Sequence, residues 1–462
     1  MIKLCVLLNL FVLAFASRSG KDSVGHYKYI PASQTYISKE TGKVRKNRLR
    51  GDFTITSNQL VQDVGDVVGN RGRGNVNLFY ADPGEGKVKN AFQFLSQIND
   101  NGQILFSVPE LYTELKFGPN SIAFGRKVLE WGVMDLNWGF GQINNRVNFD
   151  FFNPGNEGLT GVAFEHKNSQ GFTFSAFASF LYIPELNPGQ TYDEDQGEVR
   201  CRNPWCRPLA KQTTLEEKTI DIFYDIDMPN PEEVVFRTSA GARLLFEPVN
   251  YVELEAFFLR KPENQISVAA DVSLIVEGFV GNVSVTPQVY YHDVTGANAK
   301  VKLDDRWQIY GEYFQVTPEI FPDSPEVLIQ NTGLKPKKID QRYLGGGVNY
   351  AHQDLMFGVN YIARVSEFNL DAQDILTEYP RWNQAWHAYF ISNITAKLNI
   401  KMDVKIDQLT EDRLSQFEFG YQYNPSFFLS AGANIIGSGD KDSFWSEFEN
   451  NDSVYVSSRY YF

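Results

Sequence analysis

Strict alternation of apolar and polar residues is the feature that most constrains the fold of this chain. In its clearest stretch, Leu398, Ile400, Met402, Val404 and Ile406 alternate with Lys397, Asn399, Lys401, Asp403, Lys405 and Asp407. A β-strand places these two sets on opposite faces, whereas the 3.6-residue repeat of a helix would mix them. The same period recurs near residues 220–227, 240–246 and 252–258. We therefore expect strands of about 8 to 12 residues along most of the chain.

Charge and composition exclude several classes of protein. The chain of 462 residues has a formal net charge of −13, which argues against nucleic-acid binding because phosphates require clustered Lys and Arg. A hydrophobic fraction of 43% with 14% aromatic residues excludes a mainly disordered chain. A large folded protein remains.

The amino-terminal residues differ from the rest. Lys3 precedes an apolar run over residues 4–15, and Ala14 and Ala16 form a small-x-small cleavage site. This pattern predicts a secretory signal peptide over residues 1–16, because about 12 apolar residues are too few for a membrane anchor. Residues 17–50 carry nine basic residues against two acidic ones. This segment could be a periplasmic tail or a lumenal plug.

Cysteine use fits an exported protein. Cys5 lies in the predicted signal peptide, which leaves Cys201 and Cys206 as an even pair. In an exported chain this pair predicts a disulfide. A metal site is the weaker interpretation, because two thiolates with no nearby His are too few ligands for zinc.

The connections between predicted strands alternate in length. Short turn sequences occur near residues 118–121, 167–171, 247–250, 352–354 and 424–426, and long polar segments cover residues 183–217, 317–340, 367–384 and 436–450. No window offers the roughly 18 apolar residues of a membrane helix. A soluble β-sandwich could show similar turns, but its strands are usually shorter and one of its sheet faces packs on another.

The last strand carries a family resemblance. Val454, Val456, Tyr460 and Phe462 lie on one face of it, and the strand stops on an aromatic residue. This resembles the carboxy-terminal strand of bacterial outer-membrane β-barrels, which acts as their assembly signal. The resemblance implies an all-β, transmembrane antiparallel barrel over residues 51–462, because only a closed sheet leaves no unpaired backbone in lipid. It also implies lipid, lipopolysaccharide and the barrel-assembly machinery as partners. At roughly 23 to 26 residues per strand with its connection, about 16 to 18 strands are expected.

A second resemblance is local. Gly125, Arg126 and Gly132, followed by Trp138-Gly139 and Asn153-Pro154, resemble a pattern of alginate-export-type and related large bacterial porins. Lys127 stands where that pattern usually has Gln, so no substrate is implied. We interpret residues 132–158 as a segment that folds into the barrel and narrows it. An ordinary surface loop is the equal alternative.

A barrel of this size has an aqueous lumen unless loops plug it. The polar face of the strands then predicts the pore-lining residues Glu114, Lys116, Asp221, Asp225, Asp227, Arg237, Arg243, Glu253, Glu255, Arg364, Lys397, Lys401, Asp403, Lys405 and Asp407. These mixed charges could form a transverse field that orients solutes, or simply a solvated wall. Trp382 and Trp386 are assigned to the aromatic girdles of the barrel, and a lumenal path on which sugars stack is the alternative.

These patterns predict a bacterial outer-membrane channel for passive diffusion of small hydrophilic solutes or ions. A surface adhesin that uses the barrel as a platform for its long loops is the alternative. His166 and Ser169 have opposite strand parity, so they do not predict a catalytic pair. We predict no enzyme activity, cofactor or metal, and both a monomer and a trimer remain open.

Overall fold

A computed structural model describes most of the chain. The described residues are 26–30, 33–39, 49–61, 70–81, 88–99, 104–147, 150–185, 190–193, 198–201, 203–206, 212–215, 218–226, 229–249, 251–275, 280–319, 332–334, 339–352, 354–366, 380–439 and 443–462. The predicted signal peptide lies outside them. Of the predicted amino-terminal segment, they include the paired strands His26–Ile30 and Ser33–Lys39.

Eighteen strands form a closed barrel. Its first nine strands, β1 to β9, are Arg50–Leu60, Asn70–Ala81, Val88–Asn99, Ile104–Phe117, Asn120–Lys127, Leu159–Lys167, Phe172–Ser179, Ser239–Val249 and Val252–Pro262. The other nine, β10 to β18, are Tyr291–Lys302, Trp307–Pro318, Gln341–His352, Leu355–Arg364, Gln384–Asn393, Leu398–Asp407, Arg413–Asn424, Phe427–Gly437 and Ser453–Tyr461. The predicted all-β barrel of 16 to 18 strands is confirmed.

Antiparallel pairing of the last strand with the first closes the sheet. Within this pair, Ser457 lies opposite Thr56 and Tyr455 lies opposite Asn58. Beyond the last register pair, Phe462 N–H donates to the Gly51 carbonyl at 3.1 Å, and Gly51 N–H donates to the Phe462 carbonyl at 3.2 Å. A closed sheet has no edge strand, so the ladder leaves no row of unpaired backbone groups.

Successive side chains along each strand point alternately outward and inward, and the outward set is mainly apolar. Phe106, Leu111 and Val456 on the outer face are 63%, 55% and 61% exposed. On the last strand the predicted assembly-signal residues Val454 and Val456 also point outward, opposite Gln59 and Ser57 of β1. Among the described residues, no helix is long and apolar enough to cross a membrane.

The two ends of the barrel differ. Short turns such as residues 118–119, 394–397 and 425–426 join strands at one end, which we call the short-turn end. Long connections, among them residues 128–158, 180–238, 263–290 and 438–452, leave from the opposite, long-loop end. They contain the helices Met134–Trp138 (α1) and Pro231–Val235 (α2), the 3-10 helix Ser446–Asn451, and the two-stranded sheets Asn145–Val147 with Gly155–Glu157 and Gln190–Asp193 with Glu198–Cys201.

A second sheet of five strands is built from the long connections, and it corrects one prediction. Its strands, in spatial order, are Gln212–Leu215, Lys218–Ile226, Val280–Gln288, Ser267–Ile275 and Thr332–Leu334. Asp221 and Asp225 lie here and not in the barrel wall, so their prediction as pore-lining residues was wrong. Any half-exposed strand shows a period of two, so alternation alone did not distinguish the two sheets. Asp227 lies outside the described residues.

Candidate functional site

The connection between β5 and β6, residues 128–158, folds into the barrel, and we call it the constriction loop. Trp131, Met134 and Ile143 of this loop are buried, and they pack with inward-facing apolar residues of the wall. The ring centroids of Phe140 and Tyr343 on β12 are 4.7 Å apart. The surface-loop alternative for residues 132–158 is therefore excluded.

Two wall carboxylates bind the backbone of the constriction loop on one side. Glu255 Oε1 on β9 accepts the Gly132 N–H at 3.0 Å. Glu312 Oε2 on β11 accepts the N–H groups of Val133 at 2.7 Å and Met134 at 2.8 Å. Helix α1 has no side-chain cap of its own, so Glu312 supplies the acceptors that its first N–H groups need.

Gly132 is required by this contact. Its φ is +68°, a conformation that L side chains rarely adopt. A Cβ at this position would also lie 2.8 Å from Glu312 Oε1. Glycine therefore lets the loop backbone approach the wall closely.

The far part of the constriction loop is bound to the opposite wall. Arg73 on β2 forms an ion pair of 2.6 Å with Asp150 of the loop, and β2 lies half the circumference away from β11. Arg126 Nη2 lies 2.9 Å from Glu157 Oε2, and Ser107 also donates to this carboxylate. The constriction loop thus crosses the lumen and is bound on both sides.

The Asp150 carboxylate is ionised in this contact. Burial opposes the charge, but the Arg73 charge outweighs it, together with hydrogen bonds from Arg73, Asn153 and the Phe152 N–H. These interactions hold the pKa of Asp150 below its usual value. The ion pair between Arg73 and Asp150 is therefore lost only when the pH falls below the ordinary aspartate range.

A third contact joins the loop to β14 and to the segment before it. The rings of Trp138 and His387 meet edge to face with centroids 5.6 Å apart. His387 Nε2 lies 3.1 Å from Asp403 Oδ2 on β15. Arg381 Nη1 donates to the Gly139 carbonyl at 3.2 Å.

Aromatic residues from several connections cover the constriction loop at the long-loop end. Phe151 stacks on Trp205 with ring centroids 5.0 Å apart, and it meets Phe448 at 5.1 Å. Trp382 packs on Trp445 and is 1% exposed, so its assignment to an outer girdle was wrong. Trp386, by contrast, is exposed on the outer face.

The predicted disulfide lies beside this aromatic cluster. Cys206 is disulfide-bonded and follows Trp205 directly. The side chain of Cys201, its predicted partner, lies outside the described residues. The pairing stays a prediction.

Among the described residues, two adjoining cavities lie in the lumen. The larger, of about 610 Å³, lies between the constriction loop and the short-turn end, and we call it the vestibule. The smaller, of about 200 Å³, lies between the constriction loop and β14 to β16. Asn77, Gln93 and Lys401 line both cavities, so the two spaces meet where the loop crosses the barrel.

The predicted pore-lining residues are divided by the constriction loop. Lys397 and Lys401 line the vestibule, and Asp403 and Lys405 line the smaller cavity with Lys401. On the loop-covered wall, Arg243 Nε donates to Glu255 Oε1 at 2.9 Å, and Lys300 pairs with Glu253. These residues face inward but bind one another beneath the loop.

The other predicted residues lie at the margins of the lumen. Glu114 Oε2 lies 3.2 Å from Lys127 Nζ, and its other oxygen lies 3.9 Å from Lys116 Nζ. Arg364 donates to Ser366 at 3.1 Å at the end of β13. Asp407 is buried and accepts the Leu409 N–H at 2.9 Å. Arg237 precedes β8 and is partly buried.

Sequence reasoning missed Arg73, Asp150 and Glu312, which bind the loop to the wall. In β11, the inward-facing side chains include Tyr310 and Phe314 as well as Glu312. The polarity of the two strand faces therefore does not show which one faces the lumen. For Asp150, the only sequence signal was its position within residues 132–158, the segment interpreted as folding into the barrel. Arg73 lies between glycines and carries no alternation.

Substitution of Glu312 is expected to loosen the constriction loop. In Glu312→Ala the N–H groups of Val133 and Met134 lose their acceptor, at a cost of about 1–3 kcal/mol for each buried group. We expect larger fluctuations of single-channel current and faster proteolysis within residues 128–158. Glu253→Gln is the matched control, because Glu253 pairs with Lys300 and not with the loop. Equal current noise in both variants would contradict the role of Glu312.

Comparison with known proteins finds similar solved structures at low sequence identity. No known protein family matches the chain, and no curated protein sequence matches it. It is similar to the crystal structure of OpdQ from Pseudomonas aeruginosa, at 10% identity and a TM-score of 0.46 over 91% of this chain and 99% of that one. It is also similar to OccAB3 from Acinetobacter baumannii, at 10% identity and a TM-score of 0.45 over 90% and 99% of the two chains. A Rh. blastica porin variant matches at 9% identity and a TM-score of 0.36 over 90% and 100%.

Proposed function

We propose that this protein is a bacterial outer-membrane channel through which small hydrophilic solutes or ions diffuse passively. The observation that carries the proposal is a closed barrel of eighteen strands whose polar lumen is narrowed by a loop bound to both walls. A barrel that served only as a platform for surface loops would not need a loop bound to both walls inside its lumen.

The surfaces of the barrel support this proposal. Its outer face is mainly apolar along the strands, as a wall in contact with lipid must be. Its inner face offers charged and amide groups that can replace water around a passing solute. Diffusion down a gradient requires no chemical step, so the residues act by shape and electrostatics alone.

The partners follow from the same proposal. Outer-membrane lipid and lipopolysaccharide would surround the barrel, and the outward Val454 and Val456 would contact the assembly machinery. The local resemblance to alginate-export-type porins stays a proposal. Arg126, which carries part of it, binds Glu157 of the constriction loop. This role is structural and gives no indication of a shared solute.

The adhesin alternative is favoured by one observation. The five-stranded sheet and the aromatic cluster form ordered structure from the long connections. An ordered outer surface is suited to binding a partner. This function would not require an open lumen.

Conductance in a planar bilayer tests the proposal. The protein is refolded into detergent, its barrel is verified by heat-modifiable migration, and it is added to a bilayer under a KCl gradient. Steady single-channel steps of one size would support a water-filled pore. A folded barrel without conductance would overturn the channel proposal and favour the adhesin.

A further inference from the structure

We propose that the vestibule selects neutral, multiply hydroxylated solutes, such as monosaccharides and disaccharides, over ions of the same size. The inference rests on the proposed channel function and adds its solute class. Three properties of the vestibule support it: its charges cancel, its commonest lining group is an amide, and its volume suits a small organic solute.

The charges of the vestibule are balanced, and several of them are bound to partners. As many acidic as basic side chains line the cavity. Arg73 forms its ion pair with Asp150, and Arg459 Nε lies 4.0 Å from Asp52 Oδ1. A solute in this space therefore meets local dipoles and little net potential. Such a lining offers no general advantage to an anion or to a cation.

Two further charged groups bind neutral partners. The Tyr455 hydroxyl donates to Glu418 Oε2 at 3.0 Å. Lys401 Nζ donates to Gln416 Oε1 at 2.9 Å. These contacts occupy part of the hydrogen-bonding capacity of each charge.

Amide side chains supply the hydrogen-bonding surface of the vestibule. Asparagine is the commonest residue type in its lining, with Asn75 and Asn77 side by side on one inward face of β2. Each amide offers two donors and a carbonyl acceptor, which complements sugar hydroxyls that both donate and accept. Asn75 Oδ1 is buried and has no hydrogen-bond partner among the described residues.

Size and aromatic content agree with a sugar. A volume of about 610 Å³ is typical of small-molecule sites, which span roughly 300–1,000 Å³. Phe79, Tyr423 and Tyr461 also line the vestibule, and their rings offer apolar surface to the C–H faces of a pyranose. A hydrated ion gains no favourable contact with such an apolar surface.

Uptake into proteoliposomes containing the full-length protein tests the inference. Radiolabelled glucose, gluconate and glucosamine are matched in size but are neutral, anionic and cationic at neutral pH. We expect glucose to enter about threefold faster than either ion. We also expect millimolar sucrose to reduce the single-channel current by transient block.

Variants connect the selectivity to the vestibule. In Asn75→Leu with Asn77→Leu, the advantage of glucose over gluconate and glucosamine is expected to disappear. Gln308→Leu is the matched control, because Gln308 on β11 faces inward but lines neither cavity. The control should retain the preference for glucose.

The outcomes separate the two proposals. Conductance with equal entry of the three solutes would overturn the sugar inference and leave the channel intact. A preference for glucose that survives the double Asn variant would also overturn it. A folded protein that passes neither ions nor sugars would overturn the channel function itself.

Discussion

Removal of the constriction loop is expected to raise single-channel conductance roughly threefold or more, because the loop occupies a lumen that strand side chains alone do not fill. The change replaces residues 128–158 with a two-residue Asn-Gly turn. Lys127 and Leu159 are register partners in β5 and β6, so the turn can join the strands without changing their pairing. Conductance in KCl and the exclusion size for uncharged polymers measure the result.

The loop variant exposes part of the inner wall to water. Phe257 and Phe314 lose their cover, and Glu255 and Glu312 lose the backbone N–H groups that they accept. The barrel itself keeps its closed ladder of backbone hydrogen bonds. We therefore expect it to fold with lower thermal stability, which heat-modifiable migration can follow.

A matched deletion tests whether any shortened loop has the same effect. Removal of residues 267–288 eliminates the strands Ser267–Ile275 and Val280–Gln288 of the five-stranded sheet and leaves the constriction loop intact. Its conductance should equal that of the unaltered protein. If the two deletions had the same conductance, the constriction loop would not set the resistance of the pore.

The barrel could be predicted from the sequence because its cause is local. A residue in a half-exposed strand faces either lipid or lumen, and the alternation at Lys401, Met402 and Asp403 records that choice directly. Alternation around Asp221 records only that one face of a strand is exposed. The parallel pairing of Lys218–Ile226 with Val280–Gln288 depends on a distant segment and leaves no local signal.

The site could be predicted only in outline, because its contacts are distant in the chain. Glu255 and Arg243 have the polarity of lumen residues, yet the path of the constriction loop decides that they bind each other beneath it. Glu312 contacts Val133 from nearly two hundred positions away. Trp382 has the aromatic character of a girdle residue, but the aromatic cluster of several loops buries it. No pattern within one strand contains this information.

Reversal of two vestibule charges is expected to produce the largest change in ion selectivity. Lys397 and Lys401 line a cavity in which acidic and basic groups are balanced. Substitution of both by Glu lowers the formal charge there by four units. The electrostatic potential in a narrow pore depends on the net charge of its wall. Because the variant has an excess of negative charge there, cations should become the favoured ions. In a tenfold KCl gradient we expect the reversal potential to move by on the order of 20 mV towards cation selectivity.

The shift in reversal potential should depend on the location of the reversed charges in the vestibule and not on the change in net charge. A matched variant tests this dependence. Arg260→Glu with Arg413→Glu makes the same change in net charge, but both side chains lie on the outer face of the barrel, on β9 and β16. Their charges are separated from the lumen by the strand wall and screened by salt over roughly 10 Å. The reversal potential of this variant should equal that of the unaltered protein. A shift of the same size in both variants would mean that the protein's overall charge controls selectivity, and the vestibule would lose its role as the place where ions are distinguished.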